Sequence, residues 1–172
     1  MIICARQPSM FGQPAMSPAA HSSPTPHGTT SASSKANLDH GDAITRGRIV
    51  PYTVFITPEL ARVGMTEAQA HAEGRNVAVA KIPVSAIPRA KTLHDTTGTW
   101  QAVVDADSDL ILGAALLGHN AGEVISTLQM AMLAGLPYQQ VRDAVITHPT
   151  MAEGLNLLFD ALDDLRRQTP SL

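Results

Sequence analysis

Ile146-Thr-His-Pro-Thr-Met-Ala-Glu-Gly-Leu-Asn-Leu-Leu-Phe159 sets an imidazole and a carboxylate close together with an apolar helix behind them. Pro149 disfavours helical geometry at the residue before it, which places His148 outside that helix. Met151, Leu155, Leu158, Leu162 and Leu165 then recur at spacings of 4, 3, 4 and 3, one apolar stripe on a helix spanning residues 150 to 166. Glu153 falls in its first turn. From there a carboxylate can accept from one ring nitrogen of His148 and hold the other in a fixed tautomer, as an oriented general base requires. The same residues carry a second reading, because Thr150 and Glu153 also fit the capping box that satisfies the first free amides of a helix. His148 would then be an ordinary loop histidine.

Working back toward the N-terminus, Tyr138 to Val145 reads as a short helix that delivers the chain to His148. Before it, Asn120 can cap a helix with Glu123 as its capping-box partner, and Ala121, Val124, Ile125, Leu128, Ala131 and Met132 form an apolar stripe that Gly135 and Pro137 stop. Met130, Met132 and Met151 at helical spacing suit a core better than a soft-metal site. Trp100, Ala102 and Val104 alternate with polar and β-branched neighbours, and Leu110 to Leu117 resumes after an acidic turn, so the two runs predict an antiparallel hairpin. Asp105, Asp107 and Asp109 occupy positions 1, 3 and 5 of a calcium loop, but Leu110 and Leu116 replace its Gly and its Glu. A polar hairpin turn fits better. Val77 to Ile82 alternates as a strand that Pro83 ends, and Ser85 to Thr97 has no clear period and reads as a long connection. Arg89, Lys91 and His94 sit there as a solvated loop, or as contacts to a partner subunit or another domain. Tyr52 to Ile56 reads as a strand, followed by a helix that Thr66 caps and Gly74 stops. Together these elements predict an α/β (α+β) fold: an antiparallel sheet of four or five strands covered by helices over 120 to 134 and 150 to 166.

A chain of 172 residues, 44% of them hydrophobic, supports one domain with a tail. Residues 1–47 are crowded with Pro, Ser, Thr, Gly and Ala without apolar periodicity and read as a disordered leader, with residues 168–172 as a short tail. Neither an apolar secretory core nor the roughly 20 apolar residues of a membrane span is present, so no membrane partner is expected. A net charge of −3 gives no electrostatic case for nucleic acid. Cys4 is the single cysteine, which excludes an internal disulfide and a CxxC zinc site and suits a reducing, cytoplasmic compartment. His21, His27 and His40 lack ligand spacing, so no metal site is expected.

His148-Pro-Thr-Met-Ala-Glu-Gly-Leu155 resembles the His-Pro-Thr-x-x-Glu signature of the FAD-dependent pyridine nucleotide-disulfide oxidoreductases, which include dihydrolipoamide dehydrogenase, glutathione reductase and mercuric reductase. Pro51 to Glu67 looks like the opening of that family's dimerisation domain, and Ile111-Leu-Gly113 with Ala121-Gly-Glu123 looks like its middle; the likeness covers residues 48 to 166. Ile87-Pro-Arg-Ala90, Ala134 to Tyr138 and Leu155 to Phe159 look most like the mercuric-reductase-like branch, including flavoprotein reductases linked to reactive chlorine stress. The resemblance implies a dimerisation domain over 48–167, pairing as a homodimer or with an FAD/NAD-domain polypeptide of the same family. It also implies a cis His148-Pro149 bond, with His148 taking a proton from an attacking thiol and returning it while Glu153 orients the ring.

FAD and NAD(P)H are the cofactors implied for the full-length enzymes, yet this sequence has no Gly-rich phosphate turn and no redox-active cysteine pair. Inactivity of the chain by itself is therefore the expectation. The alternative is a stand-alone dimerisation or interaction module, or a truncated remnant, in which the pair is only a cap. Mercuric reductases carry a cysteine pair near the C-terminus and tend to lack the histidine, so His148 and a terminal Arg166-Arg-Gln-Thr-Pro-Ser-Leu172 point instead to thiol or disulfide chemistry.

Overall fold

The computed structural model describes Leu38 and residues 48–168; the leader expected over 1–47, Leu38 apart, and residues 169–172 of the expected tail lie outside it. Strand β1 (Tyr52–Val54) runs antiparallel to β2 (Leu60–Gly64) across a turn that holds a cis Thr57-Pro58 bond. Helix α1 (Glu67–Ala72), strand β3 (Val77–Pro83), a 3-10 turn (Val84–Ala86) and helix α2 (Pro88–Leu93) follow. The hairpin of β4 (Thr99–Asp105) and β5 (Ile111–Leu117) leads into helices α3 (Ala121–Leu133), α4 (Tyr138–Arg142) and α5 (Gly154–Gln168). The five strands form one sheet in the order β1-β2-β5-β4-β3, antiparallel as the period-2 runs predict.

Register decides which face is buried. Ala61 and Val63 pair with Leu116 and Ala114, which pair with Trp100 and Ala102, which pair with Ile82 and Ala80. That row of side chains joins one core cluster with the expected stripe of α3 and with Leu155, Leu158 and Leu162 of α5. Helix α3 lies over β2 and β5, and α5 over β3 and β4. On the opposite face Glu67 of α1 bonds Gln101 at 3.4 Å.

Several details differ from the sequence expectation, and the helix expected over Tyr138 to Val145 ends at Arg142. Leu60–Gly64 is a strand that the Ala-Arg composition hid, although Ala61 and Val63 do alternate inward with Leu60 and Arg62 outward. The connection after Pro83 holds α2, which starts with Pro88 at its first position and has no side-chain cap. Asn120 does not cap α3: it sits in the left-handed region at φ 54, and the carboxylate of Glu59 accepts from Gly122 N at 3.0 Å instead. The last helix starts at Gly154 rather than 150, because Gly154, Leu155 and Asn156 donate to Met151, Ala152 and Glu153, three residues back, and so wind a tighter turn first.

Candidate functional site

His148 and Glu153 stand in the connection between α4 and α5, with Glu153 in the tight turn just before α5 rather than in its first turn. The peptide bond before Pro149 is cis. Nδ1 of His148 lies 2.8 Å from Oε1 and 3.0 Å from Oε2 of Glu153. A carboxylate can only accept, so Nδ1 carries a proton, and in the neutral ring Nε2 then keeps a lone pair. The histidine side chain is 66% exposed and the carboxylate 22%, so the ring stands at the domain surface while its partner is rooted in the turn beneath. Among the described residues Nε2 has no protein partner. An unprotonated ring nitrogen facing outward can take a proton from a group brought to it, while the acid behind it stabilises the imidazolium that results.

Half of the capping box is also formed. Thr150 Oγ1 accepts from Glu153 N at 3.3 Å and donates to Thr147 O at 2.7 Å. The reciprocal half is not made, because the Glu153 carboxylate is turned to the ring and not to the Thr150 amide. Thr150 therefore shapes the loop and leaves Glu153 free for His148.

Sequence reasoning missed the groups that hold this loop in place. Asn156 Nδ2 lies 3.0 Å from Val141 O, 2.7 Å from Arg142 O and 3.0 Å from Ala144 O, so one amide in the first turn of α5 gathers the free carbonyls at the end of α4. Farther along α5, Asp163 accepts from the Tyr138 hydroxyl and pairs with Arg142. Arg166 bonds Asp109 at 2.7 Å and stacks over the Tyr138 ring at 5.2 Å, and Gln139 bonds Asp109 at 2.7 Å. Burial would raise Asp109, yet the bonds from Arg166 and Gln139 bring its carboxyl below the usual range. The third acid of the polar hairpin turn thus serves the helix pair. The signal that could have found them is spacing: Asn156, Phe159 and Asp163 repeat at 3 and 4 and share one side of α5.

A dinucleotide is held where a parallel strand runs through a Gly-rich turn into a helix N-terminus, and the described sheet is antiparallel throughout. The described residues therefore do not fit a flavin or nicotinamide site. No group of three or more His, Cys, Asp or Glu among them could hold a metal ion, and no described helix is long and apolar enough to cross a membrane. The cleft on the other sheet face, lined by Arg62, Glu67 and Gln101 among others, includes neither His148 nor Glu153.

Residues 50–158 match the family model described as "Pyridine nucleotide-disulphide oxidoreductase, dimerisation domain". The chain is 51% identical over 110 residues to the probable pyridine nucleotide-disulfide oxidoreductase RclA of Escherichia coli, covering 64% of this chain and 25% of that protein. It is 40% identical over 110 residues to a mercuric reductase of Staphylococcus aureus, covering 64% and 20% respectively. In structure it resembles the HOCl-induced flavoprotein disulfide reductase RclA from E. coli with a TM-score of 0.64 and 50% identity, over 66% of this chain and 26% of that one. The chain thus spans about a quarter of the length of RclA. The chain therefore belongs to the pyridine nucleotide-disulfide oxidoreductase family through its dimerisation domain.

Proposed function

We propose that residues 48–167 serve as the dimerisation domain of a flavin-dependent NAD(P)H:disulfide or thiol oxidoreductase and present the His148–Glu153 pair to the active site of a partner subunit. The observation that carries this reading is the fixed ring: Nδ1 is engaged by Glu153 at 2.8 Å while Nε2 faces outward from an exposed side chain. In this role Nε2 takes the proton of a thiol. The resulting thiolate attacks one sulfur of a disulfide, the S–S bond breaks, and the departing thiolate recovers the proton from the imidazolium. The Glu153 carboxylate stabilises the charged ring.

The described residues supply neither the flavin site nor the sulfur pair, so the pair is half of an active site and the chain is inactive by itself. The other half belongs to the family's FAD and NAD domains, on the partner of a homodimer or on a separate polypeptide. A reducing cytoplasm suits a chain with a single cysteine.

The test supplies those domains as a fusion or in trans and measures thiol–disulfide turnover. Replacing His148 by Ala should lower turnover by about 10²-fold or more, the ordinary contribution of a positioned base. Glu153→Gln should lower it less, because an amide can still accept from Nδ1 but does not stabilise the imidazolium. An unchanged rate for His148→Ala would dispose of the assignment.

A further inference from the structure

The ring of His148 has one side-chain tether, so its position depends on what fixes the loop that carries it. Residues 143–153 offer little packing of their own. Met151 is the buried apolar residue there, whereas Val145 and His148 are exposed. The chain must enter this loop from the end of α4, where the last carbonyls of a helix lack intrahelical donors. Asn156 answers that need from the first turn of the next helix. Its Nδ2 stands within 3.0 Å of the carbonyls of Val141, Arg142 and Ala144, and an amide nitrogen has two protons to share among them.

From these contacts we infer that Asn156 is a positioning residue for His148, which deepens the acid–base reading above and rests on it for any effect on turnover. The geometry is a closed circuit. Asn156 ties the entrance of the loop to the first turn of α5, which follows directly on Glu153. Thr150 ties the middle, holding Thr147 O at 2.7 Å and Glu153 N at 3.3 Å on either side of the histidine. Ring and carboxylate are therefore referenced to the same turn of α5, and releasing the entrance lets His148 drift from Glu153. The links from Asp163 to Tyr138 and Arg142 also join α4 to α5, but they act on side chains and leave the carbonyls of Val141, Arg142 and Ala144 to Asn156.

The experiment uses the full chain labelled with ¹⁵N and ¹³C, with the His148 ring nitrogens and the Asn156 side-chain amide read by NMR. In the parent, Nδ1 should carry the proton, and both Nδ2 protons should exchange with water more slowly than a free amide. Asn156→Asp keeps the size but turns oxygens toward three carbonyl oxygens, and Asn156→Ala removes the donor. Both should shift the ring nitrogens toward the mixed tautomers of a free imidazole, with the sheet resonances in place. In the fused enzyme both should cost about 10- to 100-fold in turnover, the size of loss a small misplacement brings.

Asp163→Asn is the control, since it weakens the same helix pair through the side chains of Tyr138 and Arg142 and leaves the bonds from Asn156 to the carbonyls in place. It should lower the melting temperature and leave the His148 signals unmoved. The inference is overturned if the Asn156 variants leave the ring nitrogens where they were, or if Asp163→Asn moves them as far. Should both Asn156 variants fail to fold, the parent decides alone, because Nδ2 protons exchanging at the free rate would overturn it. A tautomer shift in the Asn156 variants with no effect of His148→Ala on turnover would sink the catalytic reading and leave the positioning intact.

Discussion

Gly154 opens α5 directly after Glu153, so one added methyl there probes the core and the site together. A Cβ at this position would stand 2.6 Å from Ile87 Cδ1, 2.6 Å from Trp100 Cζ3 and 3.0 Å from Ile87 Cγ1. Neither neighbour has room to yield toward water, since Ile87 and Trp100 are both 0% exposed. Forcing a methyl into a packed core costs ~1–3 kcal/mol, and two contacts this short argue for the upper half of that range. Against it stands the better helix propensity of Ala, at most ~1 kcal/mol and less at a helix's first residue. Gly154→Ala should therefore destabilise the chain by ~1–2 kcal/mol.

Urea unfolding followed by the fluorescence of Trp100, the single tryptophan, reads this directly. With a slope near ~2 kcal/mol per molar the midpoint should fall by roughly 0.5–1 M. A second substitution isolates the cause. Ile87→Val deletes Cδ1 and by itself should cost ~0.5–1.5 kcal/mol, but combined with Gly154→Ala it removes one of the two close contacts. The pair should be less damaging than the sum by ~1 kcal/mol, as touching residues that share a void couple. A Gly154→Ala chain as stable as the parent, or strictly additive costs, would refute the packing argument.

Tyr138 gives a pH window: burial, then the bond to Asp163, pushes its hydroxyl up to about 12. An unfolded tyrosine ionises near ~10, so this stabilisation of ~2 kcal/mol is complete below that pH and is lost as pH rises through the folded value. Urea midpoints taken between those limits should fall in the parent and stay flatter in Tyr138→Phe. His94 ends α2 in the left-handed region at φ 56, where Gly carries no Cβ strain, so His94→Gly should raise the thermal midpoint by the equivalent of ~0.5–1 kcal/mol. Removing the Glu59 carboxylate from the start of α3 with Glu59→Ala should cost ~0.5–2 kcal/mol in urea unfolding. Val50, Tyr52, Phe55 and Ile56 are exposed together and Phe55 is 81% accessible, so sedimentation should show a dimer or larger, and a clean monomer at tens of micromolar would count against self-association.

What could be read from the residues follows the strength of the physical signal. The β4–β5 hairpin and β3 were legible because Trp100, Ala102, Val104 and Ala80, Ile82 alternate on a face that is truly buried. The α3 stripe was legible for the same reason at the helical period. β2 was not, since Leu60-Ala-Arg-Val-Gly64 pairs weak strand formers whose place is set by β1 and β5 on either side. Helix α2 was hidden by its six residues and its lack of a side-chain cap. Asn120 shows the limit of local capping logic: Gly122 N is capped by Glu59, 63 positions earlier in the chain, a distance no motif can express.

The candidate site divides along the same line. His148 and Glu153 were legible as a pair because they are five residues apart across a proline, close enough for sequence to constrain them. Their supports were not, because they lie on the side of α5 beside the apolar stripe, where Asn156 and Asp163 look like ordinary half-exposed polar residues. Yet α5 and the turn before it have to satisfy three neighbours: Leu155, Leu158 and Leu162 face the sheet, Asn156, Phe159 and Asp163 grip α4, and Glu153 meets the imidazole. The first two sets share the helical spacing and are offset from each other by one residue. That offset couples them, so a change that rolls α5 on the sheet must also move Glu153 under His148. In the proposed role one ring nitrogen must stand in one place, and the two residues of the motif depend for it on Asn156 in the helix behind them.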